Sequence, residues 1–431
     1  MTRYRRAASR RLRRCSPESC PVIVGSFAGG RRRTGTSIQA MAAAQRTEVL
    51  VVGGGVIGLA VAWRARSLGR EVTVLERDAA GQATSRVAAG MIAPVAEVEF
   101  GAAGRRLLDL GLRSAELWPE FAAELREATG VDVGFRRTGT LLLAADADEA
   151  AELERQLEFR RSLGLDVRRL APSAARELEP ALAPALRMAL EVPDDHSVDP
   201  RRVVEALRAA CLATGVTLRE GTTAERLEVR EGRVEGAVLA GGERLGAGTV
   251  VCAAGPWSGA IEGLPEDARL PVRPVKGQIM RLRDPHGPGL LERVVRYTGG
   301  YVVPRGDGRY MLGATVEERG FELGATAGGA YELLRDAHEL LPGIAELEIE
   351  ELCTGLRPGT PDNLPAIGPG ALEGLLWATG HHRNGILLAP LTAELLAGLL
   401  DGRASGEDDA ALIEACDPAR LRSERAGAAA L

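Results

Sequence analysis

One lysine, Lys276, stands among 53 arginines in this 431-residue chain, a bias we ascribe to the base composition of a GC-rich genome. Cysteine is sparse. The six residues (15, 20, 211, 252, 353 and 416) form no CxxC pair and share no metal-ligand spacing with the five histidines. That argues against a structural metal and for reduced, mostly buried thiols in a cytosolic protein. Long apolar runs are also missing: the best candidate for a membrane span, 385–400, is short and carries Pro390 and Glu394. No Ser/His/Asp or Cys/His arrangement for nucleophilic catalysis is evident. Acid is scarce only in the first 40 residues, which hold ten Arg and a single acid, Glu18. They carry +9 of a whole-chain charge of −5, so the remainder is near −14, which excludes nucleic acid as the main partner. This Arg- and Ser-rich stretch resembles an organelle transit peptide. The alternative is a start at Met41, since the residues after it lead straight into the first strand. On either reading, residues 1–45 are expected to be a disordered or cleaved leader.

The strongest positive signal is at 48–58, Glu-Val-Leu-Val-Val-Gly-Gly-Gly-Val-Ile-Gly, a β-branched strand entering Gly53-x-Gly55-x-x-Gly58. An amphipathic stretch from Leu59 to Leu68 follows, then a strand, Val72 to Leu75, that closes on Glu76. Strand, glycines, helix, strand and acid together form a dinucleotide-binding fingerprint. The first glycine permits the turn, the second lets backbone approach a pyrophosphate, and the third lets helix and strand pack. The helix N-terminus offers amide N–H groups to phosphate, and Glu76 is placed to accept from a ribose hydroxyl.

Residues 77–95 are small and mostly uncharged, suited to a loop lying against a ligand. Helices are expected over 104–129, 148–163, 328–341 and 391–400, and one opened by Asp199-Pro200 and stopped near Gly215. Two further strands end in small-residue turns, 249–255 and 375–380. The stretch 271–315 reads as strands, and Asp194-Asp195 reads as a solvated turn. The architecture predicted is α/β: a Rossmann-like (GR2-type) dinucleotide domain discontinuous over 46–100, 190–269 and 350–410. An α+β substrate domain on an antiparallel sheet is expected over 101–189 and 270–349, with a C-terminal tail over 411–431.

Four segments carry a specific resemblance: Gly53–Gly58, Thr84-Ser-Arg-Val-Ala-Ala-Gly-Met91, Gly355-Leu-Arg-Pro-Gly-Thr-Pro-Asp-Asn-Leu-Pro-Ala-Ile-Gly368, and Gly380-His-His-Arg-Asn-Gly-Ile-Leu-Leu-Ala-Pro390. Over about 46–405 the chain resembles the D-amino-acid oxidase superfamily of flavoproteins, and within it the glycine oxidases linked to thiamine thiazole synthesis. The resemblance implies FAD. Its contacts would fall on Val56 and Ile57 at the phosphates and on Glu76 and Arg77 at the ribose. Thr84, Ser85, Ala89, Gly90 and Met91 would lie along pyrophosphate and flavin, and Ala224 near the adenine. His381, His382, Arg383, Asn384, Gly385, Ile386 and Leu387 would wrap the isoalloxazine. Gly355 stands where sarcosine oxidases carry their flavin-linked Cys, and Cys353 is displaced by two residues, which implies non-covalent FAD.

For substrate, the resemblance implies Arg357 as carboxylate clamp, Tyr301 as a second donor to that carboxylate, and Arg383 near the amino group. A planar guanidinium binds both carboxylate oxygens at once. No general base is assigned, because amine oxidation of this kind resembles hydride transfer. Lys276 could aid oxygen activation or be a buried stem beside the sheet. Gly299 and Val316 stand where related oxidases often carry His and Met. The expected activity is oxidation of glycine, sarcosine or small D-amino acids by O2, giving the imine or glyoxylate, ammonia and hydrogen peroxide. A D-amino-acid dehydrogenase with another acceptor, a non-catalytic FAD-holding subunit and a nicotinamide dehydrogenase are the rival readings. Partners beyond substrate and O2 are not implied; a homo-oligomer is left open.

Overall fold

The computed structural model describes residues 45–402 and 407–421. The expected leader, but for Gln45, and the tail beyond 421 lie outside the described residues. Two eight-stranded sheets organise the rest. The first runs in the order Ala366–Pro369, Leu375–Thr379, Arg244–Cys252, Gln45–Val52, Val72–Leu75, Thr217–Arg219. Its central pairings are parallel, and Ala366–Pro369 is antiparallel. The strands Ala224–Arg230 and Arg233–Leu239 add an antiparallel extension onto Arg244–Cys252. Val72–Leu75 is buried at every position, as a strand covered on both faces must be.

Helices Val56–Ser67, Pro200–Thr214 and Ala389–Asp401 bury their apolar residues together in one core with Trp118, Phe121 and Leu125 of the long helix Ala102–Thr129. The helix opened by Asp199-Pro200 forms as its sequence requires. Asp199 accepts from Arg201 N at 3.0 Å, Pro200 takes the first helical position, and Gly215 ends it in left-handed geometry. A helix of this kind packed on a parallel sheet leaves the C-terminal strand ends free, which is where α/β sheets bind ligands.

The second sheet runs Glu348–Gly359, Arg273–Arg283, Arg309–Gly313, Gly300–Pro304, Val294–Tyr297, Thr140–Ala144, Met188–Val192, Arg168–Leu170. It is antiparallel except where Val294–Tyr297 meets Thr140–Ala144 in parallel. Its longest ladder joins Arg273–Arg283 to Glu348–Gly359, from Arg273 opposite Gly359 to Arg283 opposite Glu348. Thr84 Oγ1 donates to the Leu356 carbonyl at 2.8 Å, tying the small-residue segment after the first sheet to this ladder. That segment is more ordered than its composition suggests: it holds a single helical turn, Thr84–Val87, and a short strand, Met91–Ile92, paired with His196–Ser197.

Candidate active site

The cavity forms where the parallel strands end. After Val52, Cys252 and Thr379 the chain turns at Gly53, Ala253 and Gly380, and Gly53, Ala253 and Thr379 line a cavity of about 570 Å³. Gly53 sits at φ +109°, with the Ala253 backbone where a β-carbon would go, so only glycine makes this turn. Val56 N donates to Ser85 Oγ at 3.0 Å, while the next amides of this first helical turn have no intrahelical acceptor. Glu76 takes Gly54 N on one oxygen at 2.8 Å and Asp78 N on the other at 3.0 Å. Each oxygen keeps a second lone pair for a hydroxyl. Beside it the Arg77 guanidinium lies over the Trp257 ring, 4.4 Å from its centroid, and Thr222 to Glu225, including Ala224, complete this stretch of wall.

Of the cofactor contacts expected, Gly53, Gly55, Val56, Ile57, Glu76 and Arg77 line the cavity. So do Thr84, Ser85, Ala89, Gly90, Met91 and Ala224, and His381, His382, Arg383, Gly385 and Ile386. Three do not. Gly58 faces the Gly53 carbonyl inside the turn, where its lack of a side chain serves packing. Asn384 is buried, its backbone N–H donating to the His381 carbonyl at 2.8 Å. The Leu387 carbonyl accepts from Ser114 Oγ at 2.6 Å and Trp118 Nε1 at 2.9 Å, so this turn is fixed from the long helix behind it. His381 is buried against Thr392 Oγ1 at 3.0 Å, and burial pulls its pKa down to about 3. Burial, then Arg357, Arg383 and Arg273, bring His382 down to about 4. Both rings are neutral at physiological pH, so they shape the wall rather than carry protons.

Two substrate-binding candidates, Arg357 and Tyr301, sit on the second sheet, and Arg383 reaches the cavity from the turn after Leu375–Thr379. Arg357 projects over Gly277, with its Nη1 donating to the Thr315 carbonyl at 3.1 Å and the Lys276 carbonyl at 3.3 Å. It has no carboxylate partner among the described residues, which is unusual for a half-buried guanidinium. Tyr301 lies opposite Gly313 and lines the same cavity. Burial raises its phenol pKa, although Arg357 pulls the other way, so the hydroxyl stays protonated. The Tyr297 hydroxyl, on the same wall, is buried with no hydrogen-bond partner among the described residues. Arg383 lines the cavity too, but it is engaged: Glu99 accepts from it and Glu97 lies 3.7 Å away. Glu97 also stands 3.1 Å from Arg296, so one carboxylate faces two guanidiniums at the cavity wall.

Of the two readings of Lys276, its burial matches the stem beside the sheet. Its ammonium donates to Gly324 O at 2.7 Å and Glu317 Oε2 at 3.2 Å, and it is not among the cavity-lining residues. Alternation along Arg273–Arg283 puts Gly277 and Ile279 on the cavity side and Lys276 and Gln278 on the other. Asp195, read as solvated, is fully buried and accepts from Val95 N at 3.2 Å and Ala96 N at 2.9 Å; its neighbour Asp194 is exposed. Glu97, Arg296, Tyr297 and Trp257 were not anticipated. Only Trp257 carried a local signal, following the second strand-to-glycine turn.

The donors fit FAD. Backbone turns at a helix N-terminus suit a pyrophosphate, and an acid with free lone pairs suits a ribose. The Tyr297 hydroxyl, which has no partner among the described residues, and the Arg357 guanidinium, which has no carboxylate there, line the same cavity. The comparisons agree with this chemistry. A family model described as FAD dependent oxidoreductase matches residues 48–399. A bifunctional ThiO/ThiG protein of Synechocystis sp. is 40% identical over 381 residues, covering 87% of this chain and 54% of that protein. The chain thus spans about half the length of that relative. A glycine oxidase of Geobacillus kaustophilus is 36% identical over 365 residues, covering 84% of this chain and 95% of that protein. The crystal structure of glycine oxidase from Geobacillus kaustophilus matches with a TM-score of 0.77, covering 84% of this chain and 96% of that one. This chain belongs to the family of FAD dependent oxidoreductases.

Proposed function

We propose that the chain is a glycine oxidase: it oxidises glycine, and with it sarcosine or small D-amino acids, to the imine and thence glyoxylate and ammonia, for thiazole synthesis in thiamine biosynthesis. The observation that carries this reading is Arg357, a guanidinium on the cavity wall with two carbonyls behind it and no acid in front. An α-amino acid carboxylate supplies the missing partner. Similarity to glycine oxidases over nearly their full length supports the same substrate class.

When bound, FAD supplies a hydride acceptor for the substrate α-carbon and passes the electrons to O2, giving hydrogen peroxide. Arg357 binds the carboxylate in a planar, two-pronged contact, and its backbone acceptors fix the direction of the fork. Tyr301, protonated, donates to the same carboxylate. With the carboxylate anchored, the α C–H is held in one orientation, and positioning of this kind supplies most of the acceleration. The amine reacts neutral, lending its lone pair as the C–H bond breaks, so no general base is assigned. Glu97, held between Arg296 and Arg383, presents an anion on the wall near the amino group. Gly299 and Val316 line the cavity without bulk, which supports room for an N-methyl or small α-substituent.

FAD is held non-covalently. Gly355, which offers no thiol, lines the cavity, and Cys353 is buried in the apolar cluster of Ala89, Ile279 and Met311. The test is aerobic: the visible spectrum of the purified protein, then peroxide release with glycine, sarcosine and D-alanine in parallel. Peroxide with glycine at least competitive is expected. Bleaching by amines only in the absence of O2, or only with a dye acceptor, would make the enzyme a dehydrogenase.

A further inference from the structure

The face of the strand Arg273–Arg283 that turns away from the cavity carries a closed polar network. Lys276 is 2% exposed, and its ammonium holds Glu317 Oε2 and the Gly324 carbonyl. Gln278, fully buried, donates to Glu317 Oε1 at 2.7 Å and Thr326 Oγ1 at 3.0 Å, and accepts from Thr326 N at 2.8 Å. Thr315 Oγ1 donates to Glu317 Oε1 at 2.6 Å and accepts from Gln278 N at 2.9 Å. The network pins both ends of the segment 315–326 to the strand. The backbone adds a bridge, Lys276 N to Glu317 O and Glu317 N to Lys276 O at 2.9 Å each. Thr354 Oγ1 donates to the Leu323 carbonyl and Phe321 stacks on Trp257; Val316, Phe321 and Leu323 are otherwise exposed. The segment matters because it starts at Thr315, whose carbonyl accepts from Arg357 Nη1. The second carbonyl behind Arg357 belongs to Lys276 itself, and it also accepts from Glu317 N at 2.9 Å.

We propose that Lys276, with Gln278 and Glu317, positions Arg357 from behind the strand: the buried network fixes the two carbonyls that aim the guanidinium at a substrate carboxylate. This rests on the assignment of Arg357 to that carboxylate. The physical case is geometric. A buried ion pair contributes little net stability but is costly to leave half-made, so it specifies one arrangement of the segment that contains it. Glu317 satisfies Lys276, Gln278 and Thr315 together only with the segment in this register. A shift of the Thr315 carbonyl would release Nη1 and let the fork swing across the open surface of Gly277. The single lysine of the chain therefore acts on substrate binding, not on oxygen.

The two roles separate experimentally in the FAD-loaded, full-length enzyme. Glycolate keeps the carboxylate of glycine and lacks its amine, and its binding is read by perturbation of flavin absorbance. Reoxidation of the reduced enzyme by O2 is timed separately. Lys276→Met and Glu317→Ala are each expected to weaken glycolate about ten- to a hundredfold and raise KM for glycine similarly, with reoxidation unchanged. Slower reoxidation with intact glycolate affinity in Lys276→Met overturns the proposal, as does no change in either quantity. Where Lys276→Met does not fold, Glu317→Gln, which keeps the size and one acceptor oxygen, must weaken glycolate by itself or the proposal falls. Arg357→Ala is the control. If that variant binds glycolate as the wild type does, the carboxylate assignment fails. If it loses glycolate while Lys276→Met keeps it, only the positioning role fails.

Discussion

The guanidinium of Arg357 rests on the bare Cα of Gly277. A β-carbon built at 277 would stand 2.5 Å from Nη2 and 2.6 Å from Nη1. Gly277→Ala therefore displaces the clamp without touching the cofactor turns. The obstructed group is the end of a flexible side chain, so stability should change little. A displacement near 1 Å in a positioning residue costs on the order of a hundredfold in kcat/KM. We expect that loss with FAD retained; kcat/KM equal to wild type would show that the fork does not contact substrate here.

Cys353 gives a chemical check on how the flavin is held. Its thiol is buried beside Arg201, 3.7 Å from the guanidinium, and burial, with Glu351, pushes its pKa up to about 11. A protonated, buried thiol is a poor nucleophile. Acid precipitation of the holoenzyme should release all flavin to the supernatant, and Cys353→Ser should release the same amount. Yellow colour retained in the washed pellet would contradict non-covalent binding.

What the sequence made legible was local. The strand, glycine turn and acid from Val49 to Glu76 announce themselves within one unit, and Asp199, Pro200 and Gly215 mark a helix by its own caps. What it hid was set by partners far along the chain. The side of the sheet that Lys276 faces depends on its ladder with Glu348–Gly359, whose acid-rich first half does not read as a strand. Arg383 looks like a free cation until Glu97 and Glu99 arrive, the latter from 284 residues away. Asp194 and Asp195 are indistinguishable in sequence, yet one is exposed and the other buried, because within their turn only Asp195 meets the Val95 and Ala96 N–H groups, about a hundred residues earlier in the chain.

Asp195 and Arg160 hold the same two residues, one by their N–H groups and the other by their carbonyls. Asp195 accepts the Val95 and Ala96 N–H groups, and Arg160, 2% exposed, donates to their carbonyls at 2.9 Å each. The next residue is Glu97 on the cavity wall. Asp195→Ala leaves two buried donors unpaired, which costs about 1–3 kcal/mol for each. Asp195→Asn keeps one acceptor and should lose about half of that. Urea unfolding of the three proteins gives the comparison; an alanine variant within about 1 kcal/mol of wild type would mean that the grip is redundant.

Acid sensitivity follows from His381. Its ring is neutral in the fold, with burial holding its pKa at about 3, whereas an unfolded chain returns it to about 6.5. Below pH 6.5 the unfolded state thus binds a proton that the folded state refuses. Stability is complete above pH 6.5 and falls as the pH drops toward 3. Between pH 7.5 and pH 5 this one ring accounts for a loss of about 2 kcal/mol. His382, with its pKa near 4, adds to the trend in the same direction. His381→Gln can still pair with Thr392 Oγ1 and cannot titrate. Urea unfolding at the two pH values should therefore show a smaller drop for His381→Gln than for wild type, by about 2 kcal/mol. Equal drops would mean that His381 takes up its proton without unfolding, and that the ring is less shielded from water than its packing against Thr392 implies.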